Sequence, residues 1–324
     1  MKRTDKRIPA LIRFASAITA LNIAGHFYLG FEQSYAHAVV ALITGYSIEL
    51  TIEYVKSLVE KRKPAFMGDG FLGFFYFLLP AHISSLAVSM LIFANVNLMP
   101  VVFGVAAALL SKTIFRVKMN GRSRHFLNPS NTGIALTFIA FPWVGSAPPY
   151  QFAESVAGIG DWILVLIFVT LGSFLNAKFT KKMPLIFAWL GGFALQAIVR
   201  TNLMDTATVA ALGPMTGVAF LLFTFYMVSD PSTTPMKFKN QIYFGAAVAF
   251  AYGALMALHV VFGLFFALAS VCTARGIYYW ILDLKTKKEG EGMLTPILEP
   301  ELAAELKVAE FPEPVITEPQ LIDR

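Results

Sequence analysis

Long apolar stretches alternate with short polar gaps along most of this chain, between about residue 8 and residue 284. An apolar helix needs about 20 residues to cross the hydrocarbon of a bilayer, and the stretches approach or exceed that length. They predict ten membrane spans, at residues 8–30, 36–58, 71–94, 98–117, 131–147, 161–177, 183–200, 208–228, 241–259 and 262–283. The predicted fold class is therefore an all-α polytopic membrane protein.

Basic residues lie almost entirely in every second gap between the apolar stretches. Most of the 26 Lys and Arg residues fall within residues 2–13, 56–63, 112–124, 178–182, 237–239 and 285–288. Short cytoplasmic loops retain Lys and Arg, so we predict that both termini are cytoplasmic and that the protein lies in a bacterial-type inner membrane. Ten spans divide into two sets of five, and an odd number inverts the second set relative to the first, which permits two inverted five-helix repeats.

Composition supports a membrane protein and excludes some cofactors. Mean hydropathy is +0.64, with 56% hydrophobic and only 14% charged residues, far from a soluble domain. We attribute the basic pI to inner-leaflet anchoring in the lipid bilayer rather than to nucleic-acid binding. Cys272 is the only cysteine, which excludes an iron–sulfur cluster held by the chain's own thiolates. Residues 285–324 are rich in acids and prolines and predict a cytoplasmic tail after a transmembrane domain of residues 1–284.

The polar segment at residues 121–133 runs directly into the fifth apolar stretch. Asn128 is a good N-cap, and Pro129 is pre-organised for the first helical position. We therefore expect the fifth span to begin at Asn128 with backbone N–H groups exposed in its first turn, an arrangement that favours anions. The candidate binding residues of this segment are Arg124, His125, Asn128, Pro129, Asn131 and Thr132.

A second polar segment, residues 229–235, follows the eighth apolar stretch and repeats the combination of cap and proline. Just upstream, glycines and a proline at residues 211–217 interrupt a straight helix. Irregular backbone at membrane depth persists only where protein or water satisfies it, and paired breaks often mark binding sites. The alternative interpretation is that both segments only cap tight loops. The candidate binding residues here are Asp230, Pro231, Thr233 and Thr234.

Four residues within the predicted spans are candidates for a proton or cation relay. Glu49 and Glu53 are four apart and share a helix face, and acids inside the membrane usually mark a functional site. His82 lies mid-span, and Arg275 lies too deep to reach the interface easily. The alternative is that Glu53 meets headgroups or Lys56 while Glu49 pairs with a base such as Arg275. The histidines lack the spacing of di-haem cytochromes, which disfavours haem, and no metal site is predicted.

Two stretches resemble a known family of membrane subunits. Residues 126–142, FLNPSNTGIALTFIAFP, resemble the Asn-Pro segment of the NqrB and RnfD proteins, which belong to the sodium-translocating NADH:quinone reductase and to the Rnf electron-transport complex. Residues 226–235, YMVSDPSTTP, are similar to the family's Asp-Pro motif. The likeness is greatest to solitary RnfD-like proteins of the UnbU type. The resemblance implies two inverted five-helix repeats, shared with urea and ammonium transporters and adapted to hold flavin.

The resemblance also implies a flavin cofactor, although this sequence departs from the family's flavin-attachment motif. Redox members of this family carry covalent FMN on a Thr in a Ser-Gly-Ala-Thr-type motif, and the member from the sodium pump also has riboflavin. The nearest sequence here, residues 216–219, lacks the acceptor Thr. We therefore predict non-covalent riboflavin or FMN, with its ring between the two polar segments, in an electron-transfer protein that works with flavoproteins or other redox partners.

Two alternatives belong to other functional classes. One is a small-solute channel or transporter with the same architecture and no redox chemistry, and the other is a membrane scaffold recruited through the acidic tail. The sequence names neither an electron donor nor an acceptor, and it sets no oligomeric state.

Overall fold

The computed structural model describes residues 8–68, 70–119, 122–147, 155, 158–204 and 207–294, which are mostly helical. The helices are α1 (Ile8–Ala24), α2 (Tyr35–Val59), α3 (Gly70–Leu91), α4 (Met99–Ile114), α5 (Pro129–Ala140), α6 (Ile159–Leu175), α7 (Met183–Met204), α8 (Thr208–Leu212), α9 (Val218–Leu222), α10 (Phe238–Ala257) and α11 (Gly263–Leu294). The short strands are β1 (Ile92–Phe93), β2 (Arg116–Met119), β3 (Arg122–His125) and β4 (Gly145–Ser146).

Six helical segments in the described part of the chain are long and apolar enough to cross a membrane: Ile8–Leu29, Tyr35–Val59, Gly70–Leu91, Trp162–Thr180, Met183–Met204 and Gly263–Thr286. The segments Thr208–Thr216 and Val218–Met227 form a seventh if counted together, although they are bent by 65°. These helices suggest a multi-pass membrane protein. At 16 and 12 residues, α4 and α5 are shorter, so the count of ten spans and the orientation of the termini stay predictions.

The first helix of each predicted five-helix set ends in the same way. After α1, a π-helical turn at Gly25–Leu29 is closed by Gly30 in the left-handed region, and Phe31 N–H donates to Gly25 O over 3.0 Å. After α6, a π-helical turn at Asn176–Thr180 is closed by Lys181, also left-handed at φ 55°, and Lys182 N–H donates to Asn176 O over 3.0 Å. A structural repeat predicts this kind of shared local geometry.

Small residues allow two helix pairs to approach closely. A Cβ on Gly133 of α5 would clash with Gly104 O of α4, and a Cβ on Gly104 would lie 2.7 Å from Thr137 Oγ1. A Cβ on Gly245 of α10 would clash with Leu185 O of α7. Helices in lipid associate through such close packing, because lipid tails remove the hydrophobic drive between them.

A buried aromatic cluster fills the space between α7, α9 and α10. The Trp189 ring lies 5.8 Å from Phe220 between centroids, and Phe193 stacks on Tyr252 at 4.9 Å. Trp189 Nε1 donates to Thr224 Oγ1 over 3.0 Å, which satisfies the buried indole. The cluster fixes α7 against the helices that lead into and out of the second polar segment.

Two regions differ from the sequence-based expectation. The gap before the fifth span contains an antiparallel hairpin, in which Arg116 pairs with His125 and Val117 with Arg124. Helix α11 continues through the predicted start of the tail at residue 285 to Leu294, although by internal contacts the chain divides after Ile277. The rest of the predicted tail, residues 295–324, lies outside the described residues.

Candidate functional site

The two polar segments predicted from the sequence meet through Asn128. Its Oδ1 accepts from Asn131 N–H and Ser130 Oγ, both at 3.0 Å, which confirms the predicted N-cap of α5. Its Nδ2 donates to Met227 O and to Asp230 Oδ2, both at 3.3 Å. Asn128 therefore caps one helix and ties it to the segment that follows α9, about one hundred residues later.

Asp230 organises the second segment around its own carboxylate. Ser232 N–H and Oγ and Thr233 Oγ1 donate to that carboxylate over 2.7–3.0 Å. Thr234 Oγ1 donates to Asp230 O. Pro231 is exposed within this turn, and Pro129 takes the first position of α5 as predicted. These local bonds are typical of an Asx turn, so the side chains of the loop itself hold its shape.

Two basic side chains hold the same loop by its carbonyl groups. Arg275 of α11 donates to Thr233 O. Lys182 is fully buried, and its Nζ donates to Pro235 O over 2.7 Å and to Thr234 O over 3.5 Å. The sequence placed Lys182 in a basic gap and gave no sign of its burial, since Lys181 beside it is exposed. The positive charges of Lys182 and Arg275 therefore lie against the carbonyl groups of this loop.

The hairpin places His125 against the loop. His125 Nε2 lies 3.2 Å from Ser232 Oγ. Burial lowers the pKa of His125, although the Asp230 carboxylate acts in the opposite direction, so the neutral imidazole is favoured. Arg124 precedes it on β3 with its side chain exposed.

Asn131 carries a buried polar atom that no described residue satisfies. The side chain is 1% exposed, and its Nδ2 donates to Phe265 O over 2.9 Å, whereas its Oδ1 has no hydrogen-bond partner. Leaving such an acceptor unpaired costs about 1–3 kcal/mol, so a donor from a ligand or a water belongs there. Thr132 Oγ1 is already used, because it donates to Asn128 O over 2.7 Å.

The direct bond between the two segments limits where the predicted flavin ring can lie. Asn128 and Asp230 bond to each other directly, so these two side chains leave no gap for a ring, and a ring between the two segments stays a prediction. In the described part of the chain, no group of three or more His, Cys, Asp and Glu side chains is placed to hold a metal ion.

The predicted relay acids are both paired. Glu49 accepts from Lys112 Nζ of α4 over 2.9 Å through each of its oxygens, so its partner is Lys112 rather than Arg275. Glu53 accepts from Arg62 and from Ala65 N–H in the turn after α2, so it pairs with Arg62 rather than with Lys56. Both acids therefore join neighbouring elements.

His82 lies in a hydrogen-bonded chain that links three helices. Thr19 Oγ1 donates to Ala15 O over 2.7 Å, so it accepts from His82 Nε2–H, which lies at 2.7 Å. His82 Nδ1 then accepts from Tyr46 OH at 2.6 Å. Sequence reasoning missed Thr19 and Tyr46, because their contact with His82 has no local signature. Among the described residues, no hydrogen bond joins Thr19, His82 or Tyr46 to Glu49 or Glu53.

The buried charge of Lys182 predicts a pH dependence of stability. Lys182 lies between two candidate spans, Trp162–Thr180 and Met183–Met204, and burial lowers its pKa to about 8, with Asp230 opposing the shift and Arg275 adding to it. An unfolded lysine titrates near 10.4, so between about pH 8 and pH 10.4 the unfolded chain holds a proton that the folded chain lacks. Stability from this group therefore rises with pH through that window.

We expect the wild type to gain stability relative to Lys182→Met as the pH is raised from about 7 to about 10. Thermal unfolding of both proteins in the same detergent at several pH values measures the difference. Parallel curves for the two proteins would show that Lys182 keeps an ordinary pKa in the folded state.

The two polar segments therefore form one hydrogen-bonded junction, and the comparisons supply no family. No protein-family model matches this chain, and no curated protein matches it either.

Proposed function

We propose that this chain is an integral membrane electron-transfer protein that binds riboflavin or FMN non-covalently beside the junction of Asn128 and Asp230. The observation that carries the proposal is the unpaired, buried Oδ1 of Asn131, in the first turn of the helix that Asn128 caps. The imide N–H of an isoalloxazine ring is a donor of the kind that this oxygen lacks. The resemblance of both segments to flavin-binding membrane proteins supports the same cofactor.

The charges near the junction suit a flavin that changes its redox state. Lys182 and Arg275 both bond to carbonyl groups of the loop that contains Asp230. Opposite charge nearby favours the ionised form of a group, so these cations would favour the anion of a reduced flavin. Bound flavin supplies one- and two-electron transfer, and the chain's own residues position the ring and balance its charge.

The same proposal includes a membrane topology. We infer ten spans in two inverted five-helix sets, with both termini in the cytoplasm of a bacterial-type cell. The helix bounds agree with the ten predicted stretches to within a few residues for most of them, and the matching π-helical turns after α1 and α6 support a repeat. The alternation of basic gaps supports the orientation.

A matched pair of asparagine variants tests the cofactor site. Asn131→Ala removes the unpaired acceptor, and we expect it to lower the flavin content of the purified protein about tenfold, the effect of one good hydrogen bond on affinity. Asn22→Ala is the control, because Asn22 is also buried and its Nδ2 donates to Ile18 O over 2.9 Å in α1. Flavin is measured by fluorescence after acid precipitation.

Equal flavin content in the two variants would refute the site at Asn131. Both proteins must elute from size exclusion as the wild type does, so that the comparison concerns binding rather than folding.

A small-solute transporter is the second candidate, and two observations favour it. The segments on either side of Gly217 meet at 65°, and broken helices at membrane depth are typical of transporters. Consecutive hydrogen bonds also link Thr19 of α1, His82 of α3 and Tyr46 of α2, an arrangement that can pass a proton between these helices.

This candidate predicts a colourless protein and proton-dependent solute flux in proteoliposomes. Tyr46→Phe removes the hydroxyl that donates to His82 and should lower such flux about a hundredfold, the lower end of the range for a lost proton-transfer group. Tyr243→Phe, at a side chain that is 71% exposed on α10, should leave it unchanged. Flux that is the same in both variants would contradict the relay.

A further inference from the structure

A groove of about 400 Å³ lies outside the junction, between the π-helical turn after α6, the start of α7 and the start of α10. Its lining includes Lys181, Met183, Pro184, Met236, Phe238 and Gln241. Two candidate spans, Trp162–Thr180 and Met183–Met204, end and begin at this groove. The groove therefore lies at the boundary between the bilayer and water.

The rim of the groove carries positive charge only. Lys181 lines the groove, and Lys178, Lys237 and Lys239, which are next to lining residues in the sequence, are also exposed. No Asp or Glu occurs in residues 174–186 or 231–242, which form its walls. Lysines at a membrane surface each attract anionic lipid by about 1 kcal/mol, so Lys181 and the exposed lysines near it in the sequence favour a negatively charged occupant.

Large apolar side chains stand exposed beside these lysines. Met236 is 62% exposed and Phe238 is 64% exposed. A basic rim next to exposed apolar side chains, at the end of membrane spans, matches a phospholipid with its headgroup at the lysines and its acyl chains on the apolar wall. A soluble anion would use the charge and leave the apolar wall uncovered.

The start of α10 adds donors for a phosphate. Lys237 occupies the N-cap without any side-chain hydrogen bond to the helix, and the first turn contains no acidic residue. The first N–H groups of a helix lack partners within it and attract phosphate. They lie beside Phe238 at the groove.

Gln241 joins the two walls of the groove and leaves one acceptor unused. It is 3% exposed, and its Nε2 donates to Lys181 O over 3.1 Å and to Met236 O over 3.0 Å. Its Oε1 is buried without a hydrogen-bond partner in the described part of the chain. The hydroxyl groups of a glycerol headgroup are donors that this oxygen lacks.

We propose that this groove binds an anionic phospholipid with a hydroxyl-bearing headgroup, of which phosphatidylglycerol is the simplest example. The phosphate lies between Lys181, Lys239 and the start of α10, and the acyl chains lie against Met236 and Phe238. This site is independent of the flavin proposal, since it shares no residue with the junction.

The test measures lipid binding to the full chain in neutral detergent by native mass spectrometry, with phosphatidylglycerol and phosphatidylcholine as probes. Wild type should retain phosphatidylglycerol in preference to phosphatidylcholine. In the double variant Lys181→Gln/Lys239→Gln the dissociation constant should rise about thirtyfold, from about fivefold for each lysine. Lys63→Gln/Lys118→Gln, two exposed lysines elsewhere, is the control and should bind as the wild type does.

Equal retention of the two lipids by the wild type would overturn the proposal, as would equal binding by the two double variants. Displacement of phosphatidylglycerol by inorganic phosphate at a similar concentration would also overturn it, because a free anion would then be sufficient. Substitutions at exposed lysines leave the buried contacts intact, and size exclusion verifies that each variant is folded.

Discussion

Replacing Asp230 by Ala should lower the free energy of unfolding by about 3 kcal/mol, the scale of removing one partner from a partly buried charge that accepts several hydrogen bonds. The carboxylate accepts hydrogen bonds from Asn128, Ser232 and Thr233. Without it, the loop loses its internal turn and the bond to the α5 cap, and Lys182 and Arg275 lose a nearby negative charge. Titration from mild detergent into sodium dodecyl sulfate, followed by circular dichroism, measures the change.

Two further variants separate the causes of that loss. Asp230→Asn keeps the shape of the side chain and one acceptor oxygen but removes the charge. The difference in free energy of unfolding between Asp230→Asn and Asp230→Ala therefore measures the part that the hydrogen bonds contribute. Glu32→Ala removes an exposed acid and should change stability by less than about 0.5 kcal/mol. A loss in Asp230→Ala no larger than that in Glu32→Ala would contradict the described junction.

Gly133→Ala should destabilise the protein by about 1–3 kcal/mol, the usual range for overpacking. The added methyl group would meet Gly104 O, a backbone atom that moves only if α4 and α5 separate. Gly245→Ala should behave alike, because its methyl group would meet Leu185 O between α7 and α10. These positions hold the two close helix pairs on either side of the junction.

Gly191→Ala is the matched control for this prediction. Gly191 lies within α7, and a Cβ there would meet nothing within 4 Å. Alanine is the better helix former by about 1 kcal/mol, so this variant should be as stable as the wild type or more so in the same titration. If Gly133→Ala, Gly245→Ala and Gly191→Ala were equally stable, the two helix pairs would not be in close contact.

The apolar pattern predicted most helices well because it depends only on local sequence. The second span was expected at residues 36–58, and α2 occupies Tyr35–Val59. The fifth was expected to reach residue 147, but α5 ends at Ala140 and the following chain forms β4, which pairs with β1. A two-residue strand that pairs across more than fifty residues leaves no periodic signal.

The candidate site also has a part that local sequence predicts and a part that depends on contacts between distant residues. The N-cap at Asn128 was predicted because N-cap chemistry is local. Asp230 was expected to repeat the combination of cap and proline, but it organises a turn, and the next helix begins at Phe238 with Lys237 as its N-cap. The direct contact between Asn128 and Asp230, the burial of Lys182 and the bonds of His82 to Thr19 and Tyr46 depend on residues far apart in the chain. No local pattern encodes such contacts. For the same reason the partners suggested for Glu49 and Glu53 were wrong, since these acids pair with Lys112 and Arg62.

The flavin content of wild-type protein, purified in mild detergent with riboflavin and FMN present, decides whether the proposed function holds. An absorbance spectrum is followed by acid precipitation and by flavin fluorescence of the supernatant and of a denaturing gel. We expect about one flavin per chain in the supernatant, as for a tightly held cofactor, and a dark protein band. A folded, monodisperse protein without flavin under these conditions would show that the chain is not a flavin-binding electron-transfer protein.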